Sequence, residues 1–258
     1  MPIDVQQLTV KRLGRTVLDN VTLRIDDGDT VSIIGPNGAG KSTLMSAMLG
    51  LLPSVGGTTL LDGDPITRLP RRRIAQRIAY VPQLQDGYLG FRVHDVIAAA
   101  RYAYHGPLES LTADDRQAIN SAIAATSLQA LLDRTVDTLS GGERQKVWIA
   151  AALAQQSSML FLDEPTSALD PAHQAELIRI IRDAGGNGTT LVVICHDLNL
   201  PLILGGKVAA LRDGKLLFFE SHETLKDTSR LEEVFGTSFT LHRQPNGDAV
   251  SIHVDVSE

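Results

Sequence analysis

The chain has 258 residues, a formal net charge of −6, 43% hydrophobic residues and one cysteine. This length suffices for one large or two small domains, and the acidic balance argues against a nucleic-acid-binding protein, which is usually basic. The longest apolar runs are far shorter than the roughly 18–20 residues of a membrane helix. The N-terminus does not resemble a secretory signal, and the lone Cys195 fits a reducing cytosol.

The predicted elements begin with strands and continue as an alternation of strands and helices. Up to residue 81 we expect strands at Val5–Val10, Thr16–Ile25, Thr30–Ile34, Thr58–Leu61 and Ile78–Val81, and helices at Ser42–Leu49 and Arg71–Arg77. From about residue 84 to residue 138 the pattern is helical. The alternation then resumes, with strands at 158–162, 189–195, 207–212 and 215–219 and helices at 172–183 and 197–204. This order predicts an α/β fold with a mostly parallel, buried sheet.

A phosphate-binding motif lies between the third strand and the first helix. Residues Gly35–Ser42 read Gly-Pro-Asn-Gly-Ala-Gly-Lys-Ser, which fits G-x-x-x-x-G-K-[ST]. Glycines allow backbone N–H groups to face an anion, Lys41 can reach the β- and γ-phosphates, and the Ser42 hydroxyl can bind Mg²⁺. An ordinary glycine-rich turn is the alternative, but the flanking strand and helix favour an anion site.

Two further motifs follow the helical stretch. Leu139–Gln145 opens a helix in which Ser140 is the expected N-cap and Glu143 its capping-box partner, and its glycines leave room for a second phosphate contact. Asp163 and Glu164 follow a buried strand, at the end where α/β sheets bind ligands. Asp163 is suited to hold Mg²⁺ and Glu164 to orient or deprotonate a water, although the Asp-Glu-Pro sequence alone would also fit a strand-ending turn.

The order of these motifs, together with Ser167–Asp170 and His196, resembles the nucleotide-binding subunit of an ATP-binding cassette (ABC) transporter. The resemblance extends from about Leu8 to about Phe239. It implies a P-loop NTPase fold with a mostly parallel core sheet, an N-terminal antiparallel β subdomain and a helical subdomain inserted at about 84–140. We expect the nucleotide-binding domain at 1–240 and a tail at 241–258 that ends in a strand, Ala249–Val256, packed on the domain.

The resemblance also implies a head-to-tail homodimer that holds two ATP molecules and Mg²⁺. The expected catalytic residues are Lys41, Gln83, Glu164 and His196, and the expected Mg²⁺ ligands are Ser42, Gln83 and Asp163. The expected ATP contacts are Arg12, Gly35, Pro36, Asn37, Gly38, Ala39, Gly40, Lys41, Ser42, Thr43, Ser140, Gly141, Gly142 and Asp170.

Several of these positions have simpler interpretations. His196 can cap the following helix, Asp170 can be the N-cap before Pro171, and Gln83 can face solvent. Arg12 stands where many relatives have an aromatic side chain against adenine. Its guanidinium can stack on the base, whereas the neighbouring Leu13 offers only apolar contact.

The resemblance further implies separate transmembrane permease subunits, a substrate-binding protein as an indirect partner, no nucleic acid, and a location at the cytoplasmic face of the bacterial inner membrane. The stretches Ser140–Ala150 and Asp163–Gln174 resemble the subgroup that energises uptake of iron chelates such as siderophores, and His173-Gln174 is the best cue to it. The subgroup also includes importers of haem, cobalamin and molybdate. Tyr88 and Phe91 either form the floor of a groove for a partner helix or pack in the local core. A soluble ABC ATPase, an iron–sulfur assembly factor or an exporter subunit are the alternatives.

Overall fold

The computed structural model describes residues 2–83, 90–105, 109–167, 169–243 and 250–255. Two compact units are present, one formed by Met1–Arg68 with Val192–Glu258 and the other by Leu69–Leu191. Tyr88 lies outside the described residues. The strands and α-helices in chain order are β1 (Ile3–Arg12), β2 (Arg15–Ile25), β3 (Thr30–Ile34), α1 (Lys41–Met48), β4 (Gly56–Leu61), β5 (Asp64–Pro65), α2 (Arg71–Arg77), β6 (Ile78–Val81), α3 (Val93–Ala99), α4 (Ala113–Ala125), α5 (Gly141–Ala154), β7 (Met159–Asp163), α6 (Pro171–Gly186), β8 (Thr190–Ile194), α7 (Asn199–Leu204), β9 (Lys207–Arg212), β10 (Lys215–Ser221), α8 (Thr228–Phe235), β11 (Phe239–Arg243) and β12 (Val250–Val254).

The first unit contains the antiparallel sheet expected near the N-terminus. Its strand order is β2-β1-β4-β5. Strand β1 turns directly into β2, with Arg12 opposite Arg15 and positive φ angles at both turn residues, Leu13 (48°) and Gly14 (77°). A two-residue turn of this handedness matches the twist of the strands that it joins. One face of β1 is fully buried, because Ile3, Val5, Leu8 and Val10 are at most 2% exposed.

The parallel strands form the buried part of each unit. In the first unit they lie in the order β10-β9-β3-β8, with β3 parallel to β9 and β10 antiparallel to β9. In the second unit β6 pairs with β7 in parallel. All residues of β7 and β8 are buried, which is typical of parallel strands covered on both faces. The predicted α/β class with a mostly parallel core sheet is confirmed.

The helical part of the second unit has a core of its own. Helices α3, α4 and α5 pack around buried aliphatic side chains, among them Val93, Ile97, Ile119, Leu128 and Val147. The compact unit is wider than the predicted insert at 84–140, since strands β6 and β7 and helix α6 belong to the same unit.

A buried ionic network links the helices of this unit. Arg101 donates from Nε to Asp115 Oδ1 (2.8 Å) and from Nη1 to Ala154 O (2.9 Å), at the C-terminal end of α5. The His105 Nε2 atom lies 2.7 Å from Asp115 Oδ2. Burial opposes ionisation of Asp115, but hydrogen bonds from Thr112, Arg101 and His105 outweigh it and hold the pKa of this carboxyl well below its usual range. No motif or spacing in the sequence predicted this network.

The C-terminal tail forms an antiparallel ribbon with β11, which had not been predicted as a strand. Residues 250–254 form β12, within the predicted range Ala249–Val256. Asn199 of α7 contacts the ribbon, because its Oδ1 accepts from Ile252 N (2.8 Å) and its Nδ2 donates to Ile252 O (3.3 Å).

Candidate nucleotide site

The phosphate loop, Gly35–Ser42, connects β3 to α1 in a shape that favours glycine at three positions. Gly35, Gly38 and Gly40 have φ angles of 147°, 81° and 102°. A Cβ atom on Gly35 would lie 2.1 Å from Leu211 O, and one on Gly40 would lie 2.8 Å from Leu18 Cδ2. A Cβ on Gly38 would meet nothing within 4 Å. The loop is therefore packed tightly against its own unit at two glycines and faces open space at the third.

Lys41 and the start of α1 supply positive charge to this loop. The Lys41 side chain is buried, and its Nζ donates to Gly35 O (2.8 Å) and Pro36 O (3.1 Å). The N-cap of α1, Gly40, has no side chain that accepts from the first N–H groups. These N–H groups and the helix dipole favour an anion. Ser42 is exposed in the first turn.

The turn between β9 and β10 is hydrogen-bonded to the phosphate loop. Gly214 N donates to Ala39 O (3.2 Å), and Gly214 O accepts from Asp19 N (2.9 Å). A Cβ on Gly214 would lie 2.5 Å from Val17 O, so this position also excludes a side chain. A supporting role for Gly214 was not predicted, although Asp213-Gly214 between two strands is a typical turn signal.

His196 lies at the same edge of the sheet as the phosphate loop. Cys195 N donates to Ile33 O (3.0 Å), so the carboxyl ends of β8 and β3 are neighbours, and the exposed His196 follows directly. The alternative role of His196 as a helix cap is wrong. Helix α7 has no side-chain cap from its N-cap residue, Leu198, and it is Asp197 Oδ1 that accepts from Asn199 N.

Arg12 is the exposed last residue of β1, and Leu13 beside it is fully exposed at the turn. Both side chains are accessible to a ligand at this edge of the first unit. The remaining predicted loop residues, Asn37 and Thr43, are exposed and buried respectively.

In the second unit, Gln83 and Glu164 are brought together by the pairing of β6 with β7. The strands are in register with Val81 opposite Leu162, and two residues later Gln83 Nε2 donates to Glu164 Oε2 (2.9 Å). Gln83 is exposed, but its amide also orients the Glu164 carboxylate through this hydrogen bond.

Glu164 has an unusual backbone conformation. Its φ angle is 48°, and a non-glycine residue in this region often marks a functional site. The turn is held by Ser167, which donates from Oγ (2.9 Å) and from N (3.2 Å) to Glu164 O. Asp163, one residue earlier, is buried at the end of β7. Burial first, and then the charge of Asp163, raise the pKa of Tyr80.

The signature segment, Ser140–Gly142, forms the start of α5. The predicted capping box is confirmed: Ser140 Oγ accepts from Glu143 N (3.3 Å), and Glu143 Oε2 accepts from Ser140 N (2.8 Å). The hydrogen bonds that Ser140 N and Ser140 Oγ donate to Glu143 Oε2 lower the pKa of the Glu143 carboxyl. Ser140 and Gly141 are exposed, whereas Gly142 is buried.

Asp170 is the N-cap of α6, as its simpler interpretation predicted, and Pro171 follows at the first helical position. Its Oδ1 accepts from Ala172 N (3.0 Å) and His173 N (3.1 Å). Its Oδ2 lies 2.5 Å from His173 Nδ1. The hydrogen bonds from His173 are the main cause of a lowered pKa at Asp170.

The predicted metal ligands offer only oxygen donors: the Ser42 hydroxyl, the Gln83 amide and the Asp163 carboxylate. Such donors suit Mg²⁺, a hard cation that prefers oxygen ligands and keeps water and phosphate oxygens around it. Within the described ranges there is no cluster of three or more histidine, cysteine or acidic side chains arranged as a metal site. No described helix has both the length and the apolar character required to cross a bilayer.

Comparison with known proteins agrees with this geometry. A family model described as "ABC transporter" matches residues 18–167. The ferric enterobactin transport ATP-binding protein FepC of Escherichia coli (strain K12) is 35% identical over 232 residues, which cover 90% of this chain and 86% of that protein. The hemin import ATP-binding protein HmuV of Pseudomonas aeruginosa (strain PAO1) is 36% identical over 246 residues, 93% of this chain and 95% of that protein.

A solved structure of similar fold is the dimeric ATP-binding cassette MJ0796 in a post-hydrolysis state, bound to ADP and Pi. It has a TM-score of 0.74 and 25% identity, and the match covers 85% of this chain and 98% of that chain. The family model and the two curated relatives each match more than half of the chain. The protein therefore belongs to the ABC transporter family, as an ATP-binding and ATP-hydrolysing component of such a transporter.

Proposed function

We propose that this chain is the ATPase subunit of a bacterial importer for an iron chelate such as a siderophore. Two copies bind two ATP molecules head to tail, and closure of the pair drives separate permease subunits at the cytoplasmic face of the inner membrane. The observation that carries the proposal is the phosphate loop with Lys41 held over its carbonyls, 2.8 Å from Gly35 O. The names of the relatives support the importer role.

In this proposal the first unit binds the phosphates and the base of the nucleotide. The loop amides, the start of α1 and Lys41 neutralise the β- and γ-phosphates, since phosphoryl transfer depends mainly on positioning and charge stabilisation. His196, at the same sheet edge, helps to fix the attacking water. Arg12 stacks on the base in place of an aromatic side chain. Mg²⁺ would be held by Ser42, Gln83 and Asp163, and when bound it neutralises phosphate charge.

Glu164 is the proposed group that orients or deprotonates the water. The hydrogen bond from Gln83 Nε2 (2.9 Å) keeps the carboxylate in one orientation, which supports a positioning role for the glutamine. Replacing Glu164 by Gln keeps the shape of the side chain and removes its basicity. We expect the Glu164→Gln variant to bind ATP normally and to hydrolyse it at least about a hundredfold more slowly, the range typical of a lost general base.

Single-turnover hydrolysis by the purified protein tests this role. Glu232→Gln is the matched control, because Glu232 is an exposed carboxylate on α8 and has no proposed part in the site. Hydrolysis by Glu164→Gln at the wild-type rate would contradict the assignment. Loss of activity in Glu232→Gln as well would point to a general effect of removing negative charge.

The signature segment of each copy is proposed to cover the ATP of the other copy. Ser140 and Gly141 are exposed, and so is Asp170 at the start of α6, so these groups are accessible to a partner. The dimeric state named for MJ0796 with ADP and Pi supports this arrangement.

A groove in the second unit is proposed to receive a helix of the permease. It has a volume of about 940 Å³ and is lined by the exposed rings of Phe91 and Tyr102, by Trp148, and by charged groups that include Asp95 and Arg116. The Trp148 Nε1 atom is buried and finds no acceptor among the described residues. Exposed aromatic side chains are frequent anchors of protein interfaces, which suits a partner helix that brings apolar groups. The interpretation of Phe91 as a groove residue is thereby favoured over local core packing.

Co-purification with the permease from detergent-solubilised membranes tests the groove. The Tyr102→Asp variant should lose the membrane partner and keep ATP binding, whereas Leu13→Asp, at another exposed position with a large side chain, should keep the partner. Retention of the permease by Tyr102→Asp would contradict the groove, and absence of any polytopic partner from the wild type would favour a soluble ATPase.

The cargo is proposed from the names of the relatives, because this chain is not expected to touch it. Siderophore import is favoured by the relative named for ferric enterobactin, and hemin is the competing substrate by the name of the second relative. Uptake of labelled ferric siderophore, haem, cobalamin and molybdate by cells with and without this chain distinguishes them. Loss of haem uptake alone would replace the siderophore proposal.

A further inference from the structure

His173 contacts both segments that the proposed function assigns to the partner-facing surface. Its ring lies against Gly142 of the signature segment, where an added Cβ would be 2.6 Å from His173 Cδ2 and 2.7 Å from Cγ. Its Nδ1 lies 2.5 Å from Asp170 Oδ2, and its backbone N donates to Asp170 Oδ1 (3.1 Å). One side chain therefore joins the start of α5 to the start of α6.

We infer that His173 is a positioning residue that holds the signature segment and Asp170 in a fixed relation, and that residue 142 must be glycine because of this ring. The inference rests on the proposed function, in which both segments act on the nucleotide of the partner copy. The alternative is that residue 142 must be glycine only because a side chain there would keep the phosphate of the partner's ATP away.

The backbone itself gives no reason for glycine at this position. Gly142 lies in the first turn of α5 and is absent from the residues with positive φ, so alanine would be compatible with its conformation. Glycine in a helix is less favourable than alanine, because it loses more backbone freedom on folding. The neighbouring Gly141 shows the contrast, because a Cβ there would meet nothing within 4 Å. The obstacle at position 142 is the imidazole.

Removal of the ring should leave the fold intact. The His173 side chain is 35% exposed, and α5 and α6 are also joined by Lys146 and Glu176, whose Nζ and Oε2 atoms are 3.1 Å apart. Loss of the His173 ring should therefore appear as poorer positioning of the signature segment and of Asp170. Because an intramolecular hydrogen bond contributes about 0.5–1.5 kcal/mol, we expect His173→Ala to raise the ATP concentration for half-maximal hydrolysis about twofold to twelvefold. Its maximal rate should change less.

A double-mutant cycle tests the inference with the full-length protein. Gly142→Ala should strongly reduce hydrolysis and lower the melting temperature in the wild-type background. In the His173→Ala background the same substitution should cost much less in both measurements, because the ring is gone and only the Cβ of residue 173 remains close to the added Cβ, at 3.2 Å. Gly141→Ala is the control, and its effect should be the same in both backgrounds. His173→Gly, which removes the His173 Cβ as well as the ring, repeats the cycle as a second variant.

A conservative variant separates positioning from packing. His173→Asn places an amide donor near the position of Nδ1 and should restore much of the ATP dependence that His173→Ala loses. Equal damage by Gly142→Ala in both backgrounds, or no damage in the wild-type background, would overturn the inference. The melting measurements need no nucleotide, so they decide the Gly142–His173 contact even if no variant hydrolyses ATP and the proposed function fails.

Discussion

The packing of Gly35 predicts that the phosphate loop depends on strand β9 for its shape. A Cβ on Gly35 would lie 2.1 Å from Leu211 O, whereas carbon and oxygen atoms in close contact are normally about 3.3–3.6 Å apart. The carbonyl belongs to a strand and cannot rotate away, so Gly35→Ala requires a displacement of more than about 1 Å. Overpacking of this kind costs about 1–3 kcal/mol, and the φ angle of 147° adds about 1–3 kcal/mol of strain.

Gly38→Ala is the matched control for this prediction. Gly38 also has a positive φ angle (81°), but an added Cβ there meets nothing within 4 Å. Its cost should be limited to the left-handed conformation, about 1–2 kcal/mol. We therefore expect Gly35→Ala to lose about 2–6 kcal/mol of unfolding free energy, more than Gly38→Ala loses, by the sum of the two costs above.

Chemical denaturation without nucleotide measures this difference, and titration with a fluorescent ATP analogue measures the effect on binding. The displaced loop of Gly35→Ala should bind the analogue more weakly than wild type does, because its amides and Lys41 are no longer in place. If Gly35→Ala is as stable as Gly38→Ala, the contact with Leu211 does not determine the shape of the loop and the prediction is refuted.

Further predictions concern the second unit. Arg101→Met leaves the buried Asp115 carboxylate without its cation and should cost about 3–5 kcal/mol in thermal unfolding, whereas Arg116→Met, at an exposed position, should cost less than about 1 kcal/mol. The pKa of Asp115 is lower in the folded protein than its unfolded value of about 3.9, so the ionised carboxylate stabilises the fold above that pH, and this stabilisation is lost as the pH falls through the lower, folded pKa. Asp115→Asn should therefore reduce the pH dependence of the unfolding free energy at acidic pH. An unchanged pH dependence would contradict this. Ser140→Ala removes the N-cap of α5 and should cost about 1 kcal/mol in denaturant unfolding; no change would show that the cap is dispensable.

Much of the fold was predictable because its signals are local. The helix at Arg71–Arg77 and the strand at Ile78–Val81 agree with the structure at both ends, since proline precedes the helix and an apolar run defines the strand. The phosphate loop was found for the same reason, because its glycines, its lysine and both flanking elements are adjacent in sequence.

The features that were missed depend on contacts between distant residues. Arg101 and Asp115 are 14 residues apart, and Arg101 also bonds to the end of α5, 53 residues later. The contact between Gly142 and His173 likewise joins two helices, and neither helix alone reveals it. Strand β11 is an exception, because its residues Phe-Thr-Leu-His-Arg alternate apolar and polar side chains as a half-buried strand does, and this local signal was overlooked.

The central claim is that two copies hold ATP between them, and the oligomeric state of the Glu164→Gln variant tests it most directly. Sedimentation velocity should show a monomer without nucleotide, a dimer with saturating Mg·ATP, and a monomer again after Mg²⁺ is chelated. A variant that binds ATP but stays monomeric at saturating Mg·ATP, even with its permease present, would contradict the account.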